Sequence, residues 1–320
     1  MIALPTPAPA NHLPNVMRRG GTRGRRPERP PSTAPSFSAS QKHACGKRSR
    51  RTRRQKRLTI RPRPRFFWVS ALKKACELMA VAQPANEASA VKRRSLRPRD
   101  AATLIVLDRS ASPPRVLIGK RHAAHAFMPG KFVFPGGRVE PEDGRMAAIG
   151  DLHPDVAEKL NARVRSPSAR FARAIAMAAL RETFEETGLV IGVAGYAPLK
   201  QPPGGAWARF AATEVSPALD GIDLIARAIT PPGRARRFDA RFLMVDAGLI
   251  AKRVEGVVHP DAELVDLAWV PLDEARDLDL PQITRLALDD LSEALARGLE
   301  KSRPRPFYRE LHGKRLREEL

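Results

Sequence analysis

Three glutamates lie close together in the segment Arg181-Glu-Thr-Phe-Glu-Glu-Thr-Gly188. On a helix, Glu182, Glu185 and Glu186 occupy positions i, i+3 and i+4, so their carboxylates project from one face. Like charges packed this closely repel one another. A hard divalent cation such as Mg²⁺ or Mn²⁺ would relieve the repulsion, because it prefers carboxylate and water oxygens. Arg181 precedes Glu185 by four residues and can hold that carboxylate in place. The pattern predicts a metal-binding cluster, and the alternative is a solvated acidic helix face.

The residues from about Ser168 to Thr187 have the strongest helical pattern in the chain, and they would display this cluster. Ser166 or Ser168 can cap the start of the helix, and Gly188 is well placed to end it. Residues on the opposite face can pack into a core; they are Ala176, Leu180, Thr183 and Phe184.

A strand is predicted to lead toward the same point. Residues 132–137 read FVFPGG, a short apolar run that ends in a Pro-Gly-Gly break. At Gly136 and Gly137 the backbone has no side chain, so it can approach a metal or a phosphate closely.

The remaining pattern predicts an α+β fold. Ala101–Asp108 and Arg115–Lys120 read as a hairpin, and Leu280–Arg297 reads as a closing amphipathic helix. Short strands mixed with two or three helices, without regular βαβ alternation, favour an α/β/α sandwich over a Rossmann fold. Further strands are predicted at Leu189–Gly195, Ile222–Ile229, Phe238–Val245 and Ala268–Val270.

The charge of the chain is concentrated at its start. The 320 residues include 57 Lys and Arg against 34 Asp and Glu, which gives a formal net charge of +23. Residues 1–78 hold 20 of the basic and 2 of the acidic residues, so residues 79–320 have an ordinary balance. We expect residues 1–95 to be a disordered leader, because so few apolar side chains cannot offset the entropy of ordering the chain. It reads as a transit peptide, as an arm that binds nucleic acid nonspecifically, or as residues upstream of a start at Met79.

Composition excludes several classes of protein. Both cysteines, Cys45 and Cys76, fall in the leader, so the body is neither a disulfide scaffold nor a protein with a cysteine-ligated metal. No apolar run reaches the 18 residues that a membrane span requires. We therefore expect a domain over residues 96–300, followed by a basic tail over 301–320.

The sequence RETFEETGL resembles the second half of a known motif, the Nudix box. That motif begins with a Gly, a spacer of five residues, a Glu and a spacer of seven residues. It ends with Arg-Glu-U-x-Glu-Glu-x-Gly-U, in which U is aliphatic. Phe134–Gly137 matches the approach to that box. Five residues beyond Gly137 the chain has Asp143 in place of Glu, and 37 residues instead of seven separate Asp143 from Arg181. The extra residues suggest an insertion at about 144–173, which would form a lid, a homodimer contact or surface structure without function.

A split box of this kind is similar to the Nudix branch that contains the peroxisomal coenzyme A diphosphatases. The residues at the spacing of their coenzyme A signature are Leu117, Ile118, Arg121, Ala123, Gly130 and Phe134–Gly137. Three positions depart from that signature: Gly119, His122 and Ala126 replace Thr, Ser and Arg. His125 or Lys131 could replace the missing cation.

The resemblance implies metal-dependent hydrolysis of a nucleoside diphosphate linked to another moiety, first of all coenzyme A or its acyl derivatives. The alternatives are ADP-ribose, NADH or dinucleoside polyphosphates as substrates, or a Nudix module that senses nucleotides without cleaving them. Mg²⁺ or Mn²⁺ would be bound by Gly136, Glu182, Glu185 and Glu186.

The resemblance also assigns roles to other residues. Arg181 would orient the glutamates, and the general base would be Glu185, Glu263 or Glu255. We expect Arg121 and Gly137 to contact the substrate. Arg237, which lies in the basic loop over residues 234–237, is a third expected contact. The expected partner is a nucleotide-type small molecule rather than a membrane. Since Arg317–Leu320 is not a peroxisomal signal, we expect a cytoplasmic protein, or an organellar one if the leader is a transit peptide.

Overall fold

The computed structural model describes residues 96–125, 128–195 and 201–320. The predicted leader, residues 1–95, and Ala126 lie outside the described residues. Within them, none of the helices combines the length and the apolar character that crossing a membrane requires.

Four helices and two 3₁₀ turns are found in the described residues. The α-helices are α1 (Pro154–Asn161), α2 (Ala169–Thr187), α3 (Ala206–Ala211) and α4 (Gln282–Ala296), and the 3₁₀ turns are Ala247–Leu249 and Ala275–Asp277. The strands are β1 (Arg99–Asp108), β2 (Arg115–Arg121), β3 (Phe132–Val133), β4 (Gly136–Arg138), β5 (Leu189–Ile191), β6 (Val193–Ala194), β7 (Val215–Ser216), β8 (Asp223–Ile229), β9 (Phe238–Asp246), β10 (Ile250–Arg253), β11 (Leu264–Pro271), β12 (Pro306–Leu311) and β13 (Lys314–Glu319).

A mixed sheet forms the middle layer, with the strand order β11-β2-β1-β9-β8-β12-β13. The pairs β1–β9 and β8–β12 are parallel, and the other pairs in this order are antiparallel. β3 joins β2 and β4 joins β1, while β5 with β10 and β6 with β7 make two small separate sheets. The predicted hairpin of β1 and β2 is confirmed by their antiparallel pairing.

Helices cover both faces of the sheet. Along β1, Leu104 and Val106 enter the core under α1, α2 and α3, whereas Ile105 and Leu107 enter the core under α4. This alternation follows from the two-residue period of a strand, which sends successive side chains to opposite faces. The predicted α+β sandwich with a mixed sheet is confirmed.

Helix α2 begins and ends where its sequence predicts. Of the two candidate caps, Ser168 is used: its Oγ accepts a hydrogen bond from the Phe171 amide at 3.0 Å. Gly188 ends the helix in the left-handed conformation, with φ 73°. A Cβ atom at Gly188 would lie 2.1 Å from the carbonyl oxygen of Val254, so this position also requires glycine for space.

The residues inserted between Asp143 and Arg181 are part of the folded domain. Val156 and Leu160 of α1 are fully buried in the core. The buried Lys159 ammonium group donates to the carbonyl of Lys301 at 2.8 Å, and Arg163 forms an ion pair with Glu318 at 2.6 Å. The inserted segment is thus fastened to the C-terminal residues of the chain.

The prediction of a basic C-terminal tail over residues 301–320 is wrong. Residues 306–319 form β12 and β13, which extend the central sheet beyond β8. Arg305 is buried; its Nε donates to the Leu224 carbonyl at 2.6 Å and its Nη2 to Asp223 Oδ2 at 2.9 Å. The segment is rich in charged residues and its sequence resembles a solvated tail, but Arg305 fastens its start to β8.

Candidate metal and catalytic site

The three glutamates of the predicted cluster lie on the last two turns of α2, at the wall of one cavity. Glu263, which comes from the loop before β11, lies on the same cavity. Its lining residues are Glu182, Glu185, Glu186, Val257, Ala262 and Glu263. Two segments that are far apart in the sequence therefore bring four carboxylates together.

Arg181 binds two of the glutamates and fixes their orientation. Its Nη1 donates to Glu182 Oε1 at 3.0 Å and to Glu185 Oε2 at 2.8 Å, and its Nη2 donates to the Arg138 carbonyl at 2.8 Å. Burial alone would lower the pKa of Arg181, but the surrounding carboxylates raise it overall, so the guanidinium stays charged. Arg181 is therefore fixed in place as the common partner of two of the glutamates.

Asp143 anchors Arg181 from the other side. Its carboxylate is fully buried and accepts hydrogen bonds from Arg181 Nε at 2.8 Å and Nη2 at 3.2 Å. It also accepts one from the indole Nε1 of Trp207 at 2.9 Å. The aspartate at the box position thus holds the arginine that holds the glutamates. Trp207, on α3, is a contributor for which the sequence pattern gave no signal.

The cavity holds more negative charge than its arginines balance. Burial, together with the charges of Glu263 and Glu182, raises the pKa of Glu186 well above its ordinary value. Burial and the charge of Glu185 raise the pKa of Glu182 to about 7, despite the opposing effect of Arg181. Glu182 and Glu186 are thus harder to ionise here than in water, and a bound cation would reverse that effect.

Both glycines of the Pro-Gly-Gly break meet these carboxylates. The Gly136 amide donates to Glu186 Oε2 at 3.3 Å. A Cβ atom at Gly137 would lie 2.3 Å from Glu182 Oε1, so a side chain here would displace that carboxylate. The structure brings Gly136 and Gly137 to the glutamates, with Gly137 against Glu182.

The donor set fits a hard divalent cation. All the candidate side-chain ligands are carboxylate oxygens, which Mg²⁺ and Mn²⁺ prefer. Within the described ranges, no three His, Cys, Asp or Glu side chains form a ready-made cage for an ion. In this structure Arg181 Nη1 binds both Glu182 and Glu185.

The three candidates for the general base differ in their position relative to the cavity. Glu263 lines the cavity and pairs with Arg121 at 2.9 Å, while His125 Nε2 lies 3.6 Å from the same Oε1 atom. Glu185 also lines the cavity, but its carboxylate binds both Arg181 and Arg209. Glu255 is not part of the cavity wall; its side chain is 79% exposed and pairs with Arg253.

Some of the predicted substrate contacts have other partners. Arg237 donates to the carbonyls of Thr230 at 2.9 Å and Leu96 at 2.6 Å, so it links the turn after β8 to the residues before β1; it is not among the residues that line the cavity. Arg121 is largely buried and pairs with Glu263. Lys131, one candidate replacement for the cation missing at Ala126, forms an ion pair with Asp279 at 2.5 Å.

Comparison with known proteins found similar solved structures. A Nudix hydrolase from Alicyclobacillus acidocaldarius is 27% identical, and the match covers 62% of this chain and 96% of that one with a TM-score of 0.48. The Nudix hydrolase RenU from M. smegmatis is 17% identical, covering 63% and 89% with a TM-score of 0.35. The Nudix domain of NrtR from Shewanella oneidensis, solved with ADP ribose, is 13% identical, covering 69% and 97% with a TM-score of 0.35. No family model and no curated protein matches the sequence. The three structures carry the name of the family that the sequence resembles.

Proposed function

We propose that this protein is a metal-dependent pyrophosphohydrolase that cleaves a nucleoside diphosphate linked to another moiety. The main support is the convergence of Glu182, Glu185 and Glu186 with Glu263 on one cavity. A pyrophosphate is an anion and would be repelled by four carboxylates alone. The arrangement is therefore chemically useful when cations lie between protein and substrate.

Glu182, Glu185 and Glu186 would hold Mg²⁺ or Mn²⁺, helped by Gly136. When bound, the ion neutralises the pyrophosphate and lowers the pKa of a water molecule. Arg181 keeps the first two carboxylates oriented through its hydrogen bonds at 3.0 and 2.8 Å. Glu263 is the base candidate that we favour, because the carboxylate of Glu185 is already bound by two arginines.

The substrate that the sequence favours is coenzyme A or an acyl derivative. The support is the spacing of Leu117, Ile118 and Arg121 before the run Phe134–Gly137. ADP-ribose, NADH and dinucleoside polyphosphates are the alternatives within the same reaction, and a module that senses nucleotides without cleaving them is the alternative outside it.

Mass spectrometry of the products tests the proposal. The full chain is incubated with coenzyme A, ADP-ribose and NADH in the presence of Mg²⁺ or Mn²⁺. We expect 3′,5′-ADP and 4′-phosphopantetheine from coenzyme A. AMP from the other substrates alone would keep the reaction and change the substrate. No product from any of them, combined with nucleotide binding, would favour the sensing module.

A further inference from the structure

Arg121 and Glu263 are neighbours across two strands. Arg121 is the last residue of β2 and pairs with Leu264, the first residue of β11. The amide of His122 donates to the carbonyl of Glu263 at 3.0 Å. The backbone of Glu263 is therefore fixed to the end of β2, although the preceding loop over residues 254–262 contains no helix or strand.

The side chains add a second connection. Arg121 Nη2 lies 2.9 Å from Glu263 Oε1, and Arg121 Nη1 lies 3.0 Å from His125 Nδ1. A guanidinium group can donate but not accept, so Nδ1 is the accepting nitrogen and a neutral His125 has its proton on Nε2. That nitrogen lies 3.6 Å from the same Oε1 atom. Arg121 thus binds one oxygen of Glu263, and His125 Nε2 lies beside the same oxygen.

The exposure of Arg121 and of Glu263 indicates which of these two side chains reaches a ligand. The Arg121 side chain is 10% exposed and that of Glu263 is 41% exposed. An arginine that binds a phosphate needs its N–H groups directed toward the ligand. Arg121 instead binds a carboxylate and an imidazole, and of the pair it is Glu263 that lines the cavity.

We propose that Arg121 and His125 are positioning residues that aim the carboxylate of Glu263, and that Arg121 is not a substrate contact. This inference rests on the proposed hydrolysis. In that reaction the water oxygen forms a bond to one phosphorus and a water proton passes to Glu263. The anhydride P–O bond breaks, and its electron pair goes to the leaving phosphate. Glu263 then releases the proton to solvent, so both products are phosphates.

A double-mutant cycle tests the inference. Glu263→Gln is expected to lower kcat by about 10²- to 10⁴-fold, the range typical of a general base. Arg121→Lys keeps the charge but loses the planar fork, and we expect kcat to fall by about 10- to 100-fold with KM within about 3-fold. In the Glu263→Gln background, Arg121→Lys should have no further effect on kcat. His125→Ala should behave in the same way with a smaller loss.

A matched control comes from the same strand. Arg115→Lys changes the arginine at the other end of β2, which pairs with Asp108. It should keep the wild-type kcat. If Arg121→Lys does not fold, as a thermal melt would reveal, the cycle of His125→Ala with Glu263→Gln decides, because both of these side chains are partly exposed.

The possible results separate this inference from the proposed function. A rise in KM with unchanged kcat for Arg121→Lys, persisting in the Glu263→Gln background, would make Arg121 a substrate contact and overturn the inference. So would full activity of Glu263→Gln in an enzyme that Glu186→Gln inactivates, and the hydrolase would stand. Weaker binding of Mn²⁺ to Glu263→Gln, measured by calorimetry, would make Glu263 a ligand and also overturn it. If the wild-type chain cleaves no substrate, the proposed function itself fails.

Discussion

Asp143 Oδ1 lies 2.8 Å from Arg181 Nε, although the two residues are 38 positions apart in the sequence. The inserted segment between them folds back so that its two ends meet inside the protein. Asp143 is fully buried, and its partners are the guanidinium of Arg181 and the indole of Trp207. The glutamate cluster therefore depends on a carboxylate that does not itself line the cavity.

Removing this carboxylate should destabilise the protein. Asp143→Ala leaves the Arg181 charge buried beside fewer partners, and breaking a buried pair in this way typically costs about 3–5 kcal/mol. We expect a loss of that size in the free energy of unfolding, measured with urea. Asp266→Ala, at an exposed position on β11, is the control and should change stability by less than about 0.5 kcal/mol. An equal loss in both variants would contradict the role of Asp143.

Trp207→Phe should have a smaller and more specific effect. The ring still fills the core beside Phe210, but the hydrogen bond to Asp143 is lost. We expect about 1–2 kcal/mol of destabilisation, since the loss leaves a buried carboxylate with one fewer donor. Trp269→Phe, at a partly buried position on β11, serves as the comparison. The proposed link to the site predicts weaker Mn²⁺ binding in Trp207→Phe and unchanged binding in Trp269→Phe.

Glu186→Gln should abolish turnover while the metal-free protein becomes no less stable. Burial makes ionised Glu186 unfavourable, and a neutral amide removes that penalty. We therefore expect the free energy of unfolding to rise at pH 8, where the unfolded chain ionises Glu186 freely. Adding Mn²⁺ should raise the melting temperature of the wild type more than that of the variant. Glu255→Gln, outside the cavity, should keep its activity; a fully active Glu186→Gln protein would contradict the metal site.

Gly137→Ala should impair the site with little effect on the core. The added methyl group would lie 2.3 Å from Glu182 Oε1 and would push that carboxylate away from its place. We expect weaker Mn²⁺ binding and at least about 10-fold lower kcat, because metal ligands need precise placement. At Gly204 a Cβ atom would meet nothing within 4 Å, so Gly204→Ala is the matched control. Equal kinetics for the two variants would show that Glu182 does not need this space.

Asp290 should make the stability of the C-terminal region depend on pH. Burial raises its pKa to about 6, even though Tyr308 and Arg317 oppose the shift. A raised pKa favours the protonated acid in the folded state, so folding loses stability as the pH rises through 6 and regains it as the pH falls. Asp290→Asn removes the titrating carboxyl group, and its amide oxygen can still accept the hydrogen bond that the Tyr308 hydroxyl donates at 3.0 Å. We expect its stability relative to the wild type to rise by up to about 3 kcal/mol between pH 4 and pH 8. A difference that stays constant over that range would contradict the shift.

The parts of the fold that depend on local pattern were predictable. The boundaries of α2, the shared face of Glu182, Glu185 and Glu186, and the glycines beside them follow from helical periodicity, capping and backbone freedom. The hairpin of β1 and β2 and the mixed sheet follow from similar signals.

Other features depend on contacts between segments that are distant in the chain. The ion pair of Arg121 with Glu263 exists because β2 pairs with β11, a register that the sequence does not specify. The charged residues of β12 and β13 predict a tail, whereas the fold supplies distant partners: Arg163 pairs with Glu318 of β13, and Asp223 pairs with Arg305 just before β12. Long-range pairing of charges leaves no periodic pattern that a reading of one sequence can detect.

The long segment between Asp143 and Arg181 affects the order in which the protein folds. Closing a loop of this length lowers the entropy of the chain before the contact at its ends stabilises it. Arg181 is held by Asp143 only after that closure, so we expect the site to assemble late, after the neighbouring strands have paired. A partial opening of α1 could then loosen the contact of Asp143 with Arg181 while the sheet remained intact, and hydrogen exchange in α1 would report that opening.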